Sequence, residues 1–430
     1  MPRTEATKNR WLIAVSAIAI HLSIGSIYAY SVFQNPLNES VGWEIGDVTL
    51  AFTIAIFFLG LAAAFLGTFV DEYGPRIAGL SSAAVFGTGM LGAGFAIQLE
   101  SLPLFLGTYG MIGGIGLGVG YIAPISTLVE WFPDRRGLAT GMAVMGFGAG
   151  ALITSPVAEF LMQNVTSVAG TFYILGIGYI VLISAGASYM KKPPEEWYPE
   201  GMDEADLPDD DHPEGGDGGD LANIQATSAL RTKRFYLLWL IVFINISAGI
   251  MLLAVAASMT ETLTGTTAAT AATVVGVMGL FNGLGRIGWA SASDYTGRTN
   301  MYTAFFAIQV VAFFLLPLTT NVVPFAILLC IIISCYGGGF ACLPAYIGDL
   351  FGTKELGTIH GYTLTAWSMA GVAGPSLVAY IVSATGSYTL SFYIVNAALI
   401  VGLVCTVFLR INIKNIQDSK QEQAAVSSSD

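Results

Sequence analysis

The chain has 430 residues, 54% of them hydrophobic and only 11% charged, with a mean hydropathy of +0.68. Soluble chains average about 25% charged residues, so this composition excludes a soluble globular protein and points to an all-α protein that crosses a membrane many times. The formal net charge of −12 is local: twelve acids lie between Glu195 and Asp220, leaving seventeen acids against seventeen bases elsewhere. No basic face for nucleic acid follows from that balance.

Hydropathy divides the chain into twelve apolar stretches, each near the ~20 residues a bilayer core requires. They fall at 11–33, 46–70, 77–97, 101–126, 137–163, 168–190, 234–258, 267–292, 300–320, 322–346, 357–383 and 387–410. With its polar start and long first stretch, the chain is not expected to carry a cleavable signal peptide. The expected organisation is a six-helix bundle over 1–190, a linker over 191–233, a second six-helix bundle over 234–410 and a tail over 411–430. The linker, with Asp209-Asp210-Asp211 and Gly215-Gly216-Asp217-Gly218-Gly219, has the composition of a disordered tether, with a short surface helix expected near 221–230.

Sixteen of the seventeen Lys and Arg fall on one side of this arrangement, among them Arg76, Arg135, Arg136, Lys191, Arg298, Lys354 and Arg410. The positive-inside rule then places both termini and the linker in the cytoplasm, with a prokaryotic inner membrane as the expected location. The seventeenth is Arg286, inside Met278-Gly-Leu-Phe-Asn-Gly-Leu-Gly-Arg286-Ile-Gly-Trp289. A cation within hydrocarbon costs about 2.5–3.5 kcal/mol on insertion scales, so it needs a partner. The carboxylate of a transported substrate, backbone carbonyls, or an acid from another helix would serve. Asn282, one turn earlier, shares its face. Its amide would meet the substrate, hold the guanidinium, or simply bond a neighbouring helix.

The chain repeats itself. Trp131-Phe-Pro-Asp-Arg-Arg136-Gly-Leu-Ala-Thr-Gly141 is echoed by Leu350-Phe-Gly-Thr-Lys354-Glu-Leu-Gly-Thr-Ile-His-Gly361, and Asp71-Glu-Tyr-Gly74-Pro-Arg76 by Asp294-Tyr-Thr-Gly297-Arg298. Matching loops on one membrane side imply two parallel halves related by an axis along the membrane normal, with substrate expected at their interface.

At these loops the sequence resembles the major facilitator superfamily, through Gly67-Thr-Phe-Val-Asp71-Glu-Tyr-Gly74-Pro-Arg76 and its weaker copy around Asp294 and Arg298. Within it, the chain is similar to the oxalate/formate antiporter family and the related monocarboxylate transporters. Gly25-Ser-Ile-Tyr28-Ala-Tyr30-Ser-Val-Phe-Gln-Asn-Pro36, the Trp131–Gly141 loop, Phe281-Asn-Gly-Leu-Gly-Arg286 and Asp349-Leu-Phe-Gly352 carry that likeness. The resemblance implies that Arg286 binds a substrate carboxylate and that Tyr121 and Tyr336 line the central cavity. It implies that Asp71, Arg76, Arg135, Arg136, Asp294 and Arg298 gate the cytoplasmic side. Where the oxalate antiporter has a second cation, a lysine of the eleventh helix, this chain has Trp367. One buried cation fits one carboxylate, so formate, acetate, lactate or pyruvate is expected rather than a dicarboxylate.

On the first span His21, Gly25 and Tyr28 share a face. Tyr28 is a candidate donor to the substrate. His21, read as the sole histidine within a span, either titrates as part of proton coupling or packs as an ordinary core residue. Trp367 either narrows the cavity or packs plainly. Asp71, Arg76, Arg135 and Arg136 are expected to form one charge cluster, with Glu130 and Asp349 adjoining it and Glu159 near the outer end of the fifth span.

Gly114-x-Gly116-x-Gly118-x-Gly120 mimics a dinucleotide fingerprint, but no strand precedes it. Gly110, Gly114 and Gly118 instead suit close helix contact. The four cysteines lie in apolar spans and read as small hydrophobic residues. No hydrolase or metalloenzyme motif is present, so no enzyme, cofactor or metal is expected. The expected protein is a monomeric carrier whose partners are a small carboxylate, protons and the bilayer. Exchange of oxalate for formate, and a membrane sensor that binds the metabolite without moving it, are the contrasting possibilities.

Overall fold

The computed structural model describes residues 8–194, 197–199, 221 and 223–427. Most of the acidic stretch of the linker lies outside these residues, as do the side chains of Arg136 and Glu159. The described chain is helical, and twelve of its helices are long enough to cross a bilayer. They are α1 (Arg10–Ala29), α2 (45–73), α3 (75–98), α4 (Leu102–Trp131), α5 (Arg136–Asn164) and α6 (Val168–Tyr189) in the first half. In the second half they are α7 (Lys233–Thr264), α8 (Ala268–Thr296), α9 (Arg298–Leu315), α10 (Val322–Phe351), α11 (Leu356–Thr385) and α12 (Thr389–Ser427). A short outer helix, Ser31–Val41, joins α1 to α2.

Residues 45–98 run as nearly continuous helix, divided only at Gly74 (φ 80°, ψ 168°), with Pro75 opening α3. Gly297 (φ 81°) separates α8 from α9 at the equivalent point of the second half. Both turns need a positive φ, which glycine adopts without the Cβ penalty of other residues. Helix α8 is the span that carries Asn282 and Arg286 amid glycines.

Helix α4 shows what the small residues do. A Cβ on Gly114 would meet the Ala55 carbonyl at 2.6 Å, and one on Gly110 would meet Ile54 at 2.8 Å. Gly118 stands equally close to Leu59, so the glycine stripe seats α4 on α2.

The halves meet where α2 packs along α11 and α5 along α8. That contact runs from the face bearing the loop motifs, the basic face, to the depth of Arg286. It passes through Gly67 against Thr358, Gly361 against Ala63, and Gly141 against the Arg286 carbonyl. The described ends of the linker lie on the same face. Trp131 donates to the Lys191 carbonyl (2.7 Å) and packs against Trp197. Leu221 and Ile224 donate to carbonyls of Asp349 and Phe351 (2.7 and 3.0 Å), just before a one-turn helix at Ala226–Ala229.

Candidate functional site

Arg286 sits on α8 where the halves touch and is 1% exposed. Gly337 on α10 makes room for it, since a Cβ there would lie 3.1 Å from the arginine Cγ. Its Nη1 donates to the Val144 carbonyl on α5 (2.6 Å), and its Nε donates to the Asn282 side chain (3.2 Å). Nη2 is buried with no hydrogen-bonded acceptor. The guanidinium carbon lies 5.8 Å from the ring centre of Phe147 and 5.5 Å from that of Phe340, within cation–π range of both. Among the described residues no carboxylate pairs with it. A backbone carbonyl and a neighbouring amide therefore satisfy part of the guanidinium, and one edge stays unmet.

The sequence-chosen aromatic residues gather on the same pair of phenylalanines. Trp367 on α11 packs edge-on to Phe147 and Phe340, at 5.6 and 4.7 Å between ring centres. Tyr121 on α4 lies 5.4 Å from Trp367 and 5.3 Å from Phe147. Tyr28, in a 3₁₀ turn that ends α1, stands 5.1 Å from Phe147, and its hydroxyl is 3.3 Å from that of Tyr336. Gly25 permits this placement, because a Cβ on it would strike the Phe147 carbonyl. Tyr121, Tyr336, Trp367 and His21 are all fully buried. Of these, the Tyr121 hydroxyl and the Trp367 Nε1 make no hydrogen bond. Phe147 and Phe340, the two walls of the site, were not singled out from the sequence.

His21 lies behind Tyr121 with carbonyl oxygens at both ring nitrogens: Ala143 at Nδ1 (2.7 Å) and Tyr121 at Nε2 (3.1 Å). A neutral imidazole carries one N–H and donates to one of them, whereas an imidazolium donates to both. His21 is not the sole histidine in a span. His360, in the first turns of α11, is fully buried, and its ring centre lies 5.9 Å from that of Tyr121. Neither of its nitrogens has a partner.

Among the described residues, the charged side chains of the basic face do not assemble as one cluster. Arg76 is exposed and joins no ion pair among the described residues, and Arg135 reaches only Asp134, at 4.0 Å. Asp71 turns to the other half. Its Oδ2 accepts from the Thr358 backbone N–H (3.2 Å) and from the Thr358 hydroxyl (2.7 Å), in the first turn of α11. Asp294 does the same in reverse, accepting from the Leu138 N–H (3.2 Å) in the first turn of α5. Neither α5 nor α11 has a side-chain cap of its own, so each is capped across the interface. Arg298 holds Asp294 (2.6 Å) and Asp349 (3.3 Å), and Lys192 holds Glu130 (3.7 Å).

A groove of about 350 Å³ also opens between the outer parts of α8 and α10, lined by apolar residues such as Val274, Phe281 and Ile327. Arg286 does not line it.

Two overlapping stretches, 16–375 and 238–428, match the model of the Major Facilitator Superfamily. The chain is 28% identical to an oxalate:formate antiporter of Oxalobacter formigenes, over 88% of this chain and 86% of that protein. It is 25% identical to the apicoplast pyruvate carrier 1 of Toxoplasma gondii, over 62% of this chain and 57% of that one. The fold superposes on the outward conformation of the transporter FucP with a TM-score of 0.68 at 14% identity, covering 92% of this chain and 99% of that one. Twelve helices in two repeated halves, with family matches that together span nearly the whole chain, identify it as a secondary transporter, not an enzyme, that belongs to the Major Facilitator Superfamily.

Proposed function

We propose that the chain carries a small monocarboxylate of the lactate, pyruvate or formate type across the membrane by alternating access, coupled to protons. The observation that carries this reading is the buried, unmet Nη2 edge of Arg286 at the interface of the halves. A carboxylate seated there neutralises the one cation in the span. In a site closed to water that attraction is far stronger than at a surface. Asn282 steadies the guanidinium. Tyr28 and Tyr336 close one side of the site, while Tyr121 and Trp367 close another. Once the charge is neutralised, the halves rock about the occupied site. His21 is the proposed proton carrier, since only its protonated ring donates to both carbonyls that face it.

In this reading the basic face is cytoplasmic, both termini with it, and the membrane is the inner membrane of a prokaryote. Asp71 and Asp294, with Arg298, hold that face shut, and Arg76, Arg135 and Arg136 belong to the same gate. The carrier works as a monomer.

Exchange of oxalate for formate is the second reading, favoured by the 28% identity to an oxalate:formate antiporter. Trp367 stands against it, because it offers one neutral N–H to a second carboxylate. Uptake of labelled lactate, formate and oxalate by proteoliposomes, with and without a pH gradient, separates the two. Proton-driven lactate uptake supports symport. Oxalate uptake that requires internal formate and ignores the gradient replaces it with exchange.

A further inference from the structure

The loop motifs that repeat between the halves are each met by a cation on an aromatic ring, and only one of the two cations has an acid. In the first half, Arg10 in the first turn of α1 places its guanidinium carbon 4.8 Å from the ring centre of Phe132. Trp11 packs edge-on to the same ring at 5.2 Å. Two residues after Phe132, Asp134 pairs with Arg10, Nη1 to Oδ1 at 2.9 Å. In the second half, Arg234 in the first turn of α7 places its guanidinium carbon 5.0 Å from the ring centre of Phe351. Phe235 stands 6.4 Å from that ring. Two residues after Phe351, where the first half has its aspartate, the chain has Thr353.

Arg234 therefore has the ring but not the carboxylate. It is 6% exposed, and its Nε is buried with no acceptor. No carboxylate pairs with it among the described residues. The acids nearest the loop are engaged elsewhere: Asp349 holds Arg298, and Glu355 accepts from the Ala226 N–H (2.8 Å). A buried cation without a partner is costly, and buried charges in folded proteins are paired. The first half shows what belongs here, an oxyanion on the guanidinium. Thr353 leaves that place open, since a hydroxyl brings no charge.

The surroundings select a phosphate. A guanidinium fork binds such an oxyanion with two parallel bonds. Arg231 and Lys233 are exposed in the adjoining turn, so the local positive charge exceeds what one carboxylate balances. The helix behind them is 32 residues long and its N-terminus favours anions, with Thr232 capping the Phe235 amide (3.4 Å). Here α7 also enters its apolar span, the level at which basic residues meet lipid headgroups. We infer that Arg234 binds a phosphate-type oxyanion, from a lipid headgroup or from solution, in the place that Asp134 fills in the first half. The anion ties α7 to the loop between α10 and α11, as Asp134 ties the loop between α4 and α5 to α1. This site is separate from Arg286 and does not depend on what is carried.

Thermal melts of the purified full chain in maltoside detergent test this, against sodium chloride at matched ionic strength. Phosphatidylglycerol is titrated in one arm and inorganic phosphate in the other. A midpoint rise of about 1–3 °C at saturating ligand is expected in at least one arm. A rise with phosphatidylglycerol alone assigns the site to lipid headgroups, whereas a rise with inorganic phosphate shows that the free ion suffices. Arg234→Gln is expected to demand at least about tenfold more ligand for the same rise, as loss of a charged hydrogen bond implies. Arg10→Gln, which breaks the complete pair instead, should leave the response intact. Thr353→Asp supplies the missing acid from within the chain. It should raise the midpoint without ligand and abolish the response, and it decides the matter if Arg234→Gln fails to fold. No rise in either arm overturns the site. So does a rise that Arg234→Gln retains at wild-type concentrations, or one that Thr353→Asp leaves unchanged.

Discussion

Asp71 and Thr358 are 287 positions apart, yet the Asp71 carboxylate caps the helix whose first turn holds Thr358, at 2.7 Å from its hydroxyl and 3.2 Å from its amide. Asp294 and Leu138 repeat the arrangement with the halves exchanged. A side-chain cap contributes typically about 1 kcal/mol, and a carboxylate at a helix N-terminus adds a dipole contribution of about 0.3–1 kcal/mol. In the proposed transport cycle, two such caps would hold the basic face closed firmly enough to order it and weakly enough to break.

Asp71→Asn and Asp294→Asn are therefore expected to shift the population toward opening of the basic face, by about 0.5–2 kcal/mol each. Spin labels at exposed Tyr73 and Tyr295, one on each half of that face, report it. The distance distribution should gain a longer component in each variant and more in the double variant. An unchanged distribution means the caps do not hold the gate.

Arg286 separates stability from function. A buried cation lacking full compensation is destabilising in itself, and an apolar replacement of similar volume is often neutral or stabilising. Arg286→Met should keep or raise the thermal midpoint in detergent while reducing carboxylate transport at least about a hundredfold, as a buried charge contact warrants. Unfolding of the variant would show that the arginine is a structural pin.

His21→Gln preserves a donor but cannot gain a proton near neutral pH. Exchange of labelled for unlabelled substrate, which needs no net proton movement, should persist in it. Accumulation driven by a pH gradient should be lost. Accumulation at the wild-type level removes His21 from the coupling.

Two glycines give a packing contrast. A Cβ at Gly25 collides with the Phe147 carbonyl, whereas one at Gly279 meets nothing within 4 Å. Gly25→Ala should destabilise by about 1–3 kcal/mol and disturb Tyr28, while Gly279→Ala should leave the thermal midpoint almost unchanged. Thermal melts of the two proteins in the same detergent check it. Equal midpoints would mean that α1 and α5 yield more easily than their packing suggests.

The twelve spans were legible because a bilayer demands long apolar runs. The repeat was legible because Gly74 and Gly297 answer the same backbone demand. Arg286 stood out for its cost in hydrocarbon. Phe147 and Phe340 did not, since a phenylalanine facing a substrate looks in sequence like one facing lipid. His360 was hidden because it follows a loop motif closely and was counted with it. The caps were not visible because Asp71 lies near Arg76 in sequence, and a sequence invites pairing with the nearest opposite charge. Asp71 instead meets helix amides from the other half, whose orphan N–H groups carry no sequence mark.

The central claim is that Arg286 receives the carboxylate of the cargo. Counterflow of labelled pyruvate into proteoliposomes preloaded with unlabelled pyruvate tests it most directly, comparing wild type with Arg286→Gln at matched protein incorporation. A transient overshoot in wild type that is absent from the variant is the predicted result. An equal overshoot in both would contradict it, leaving Arg286 a structural residue tied to Val144 and Asn282.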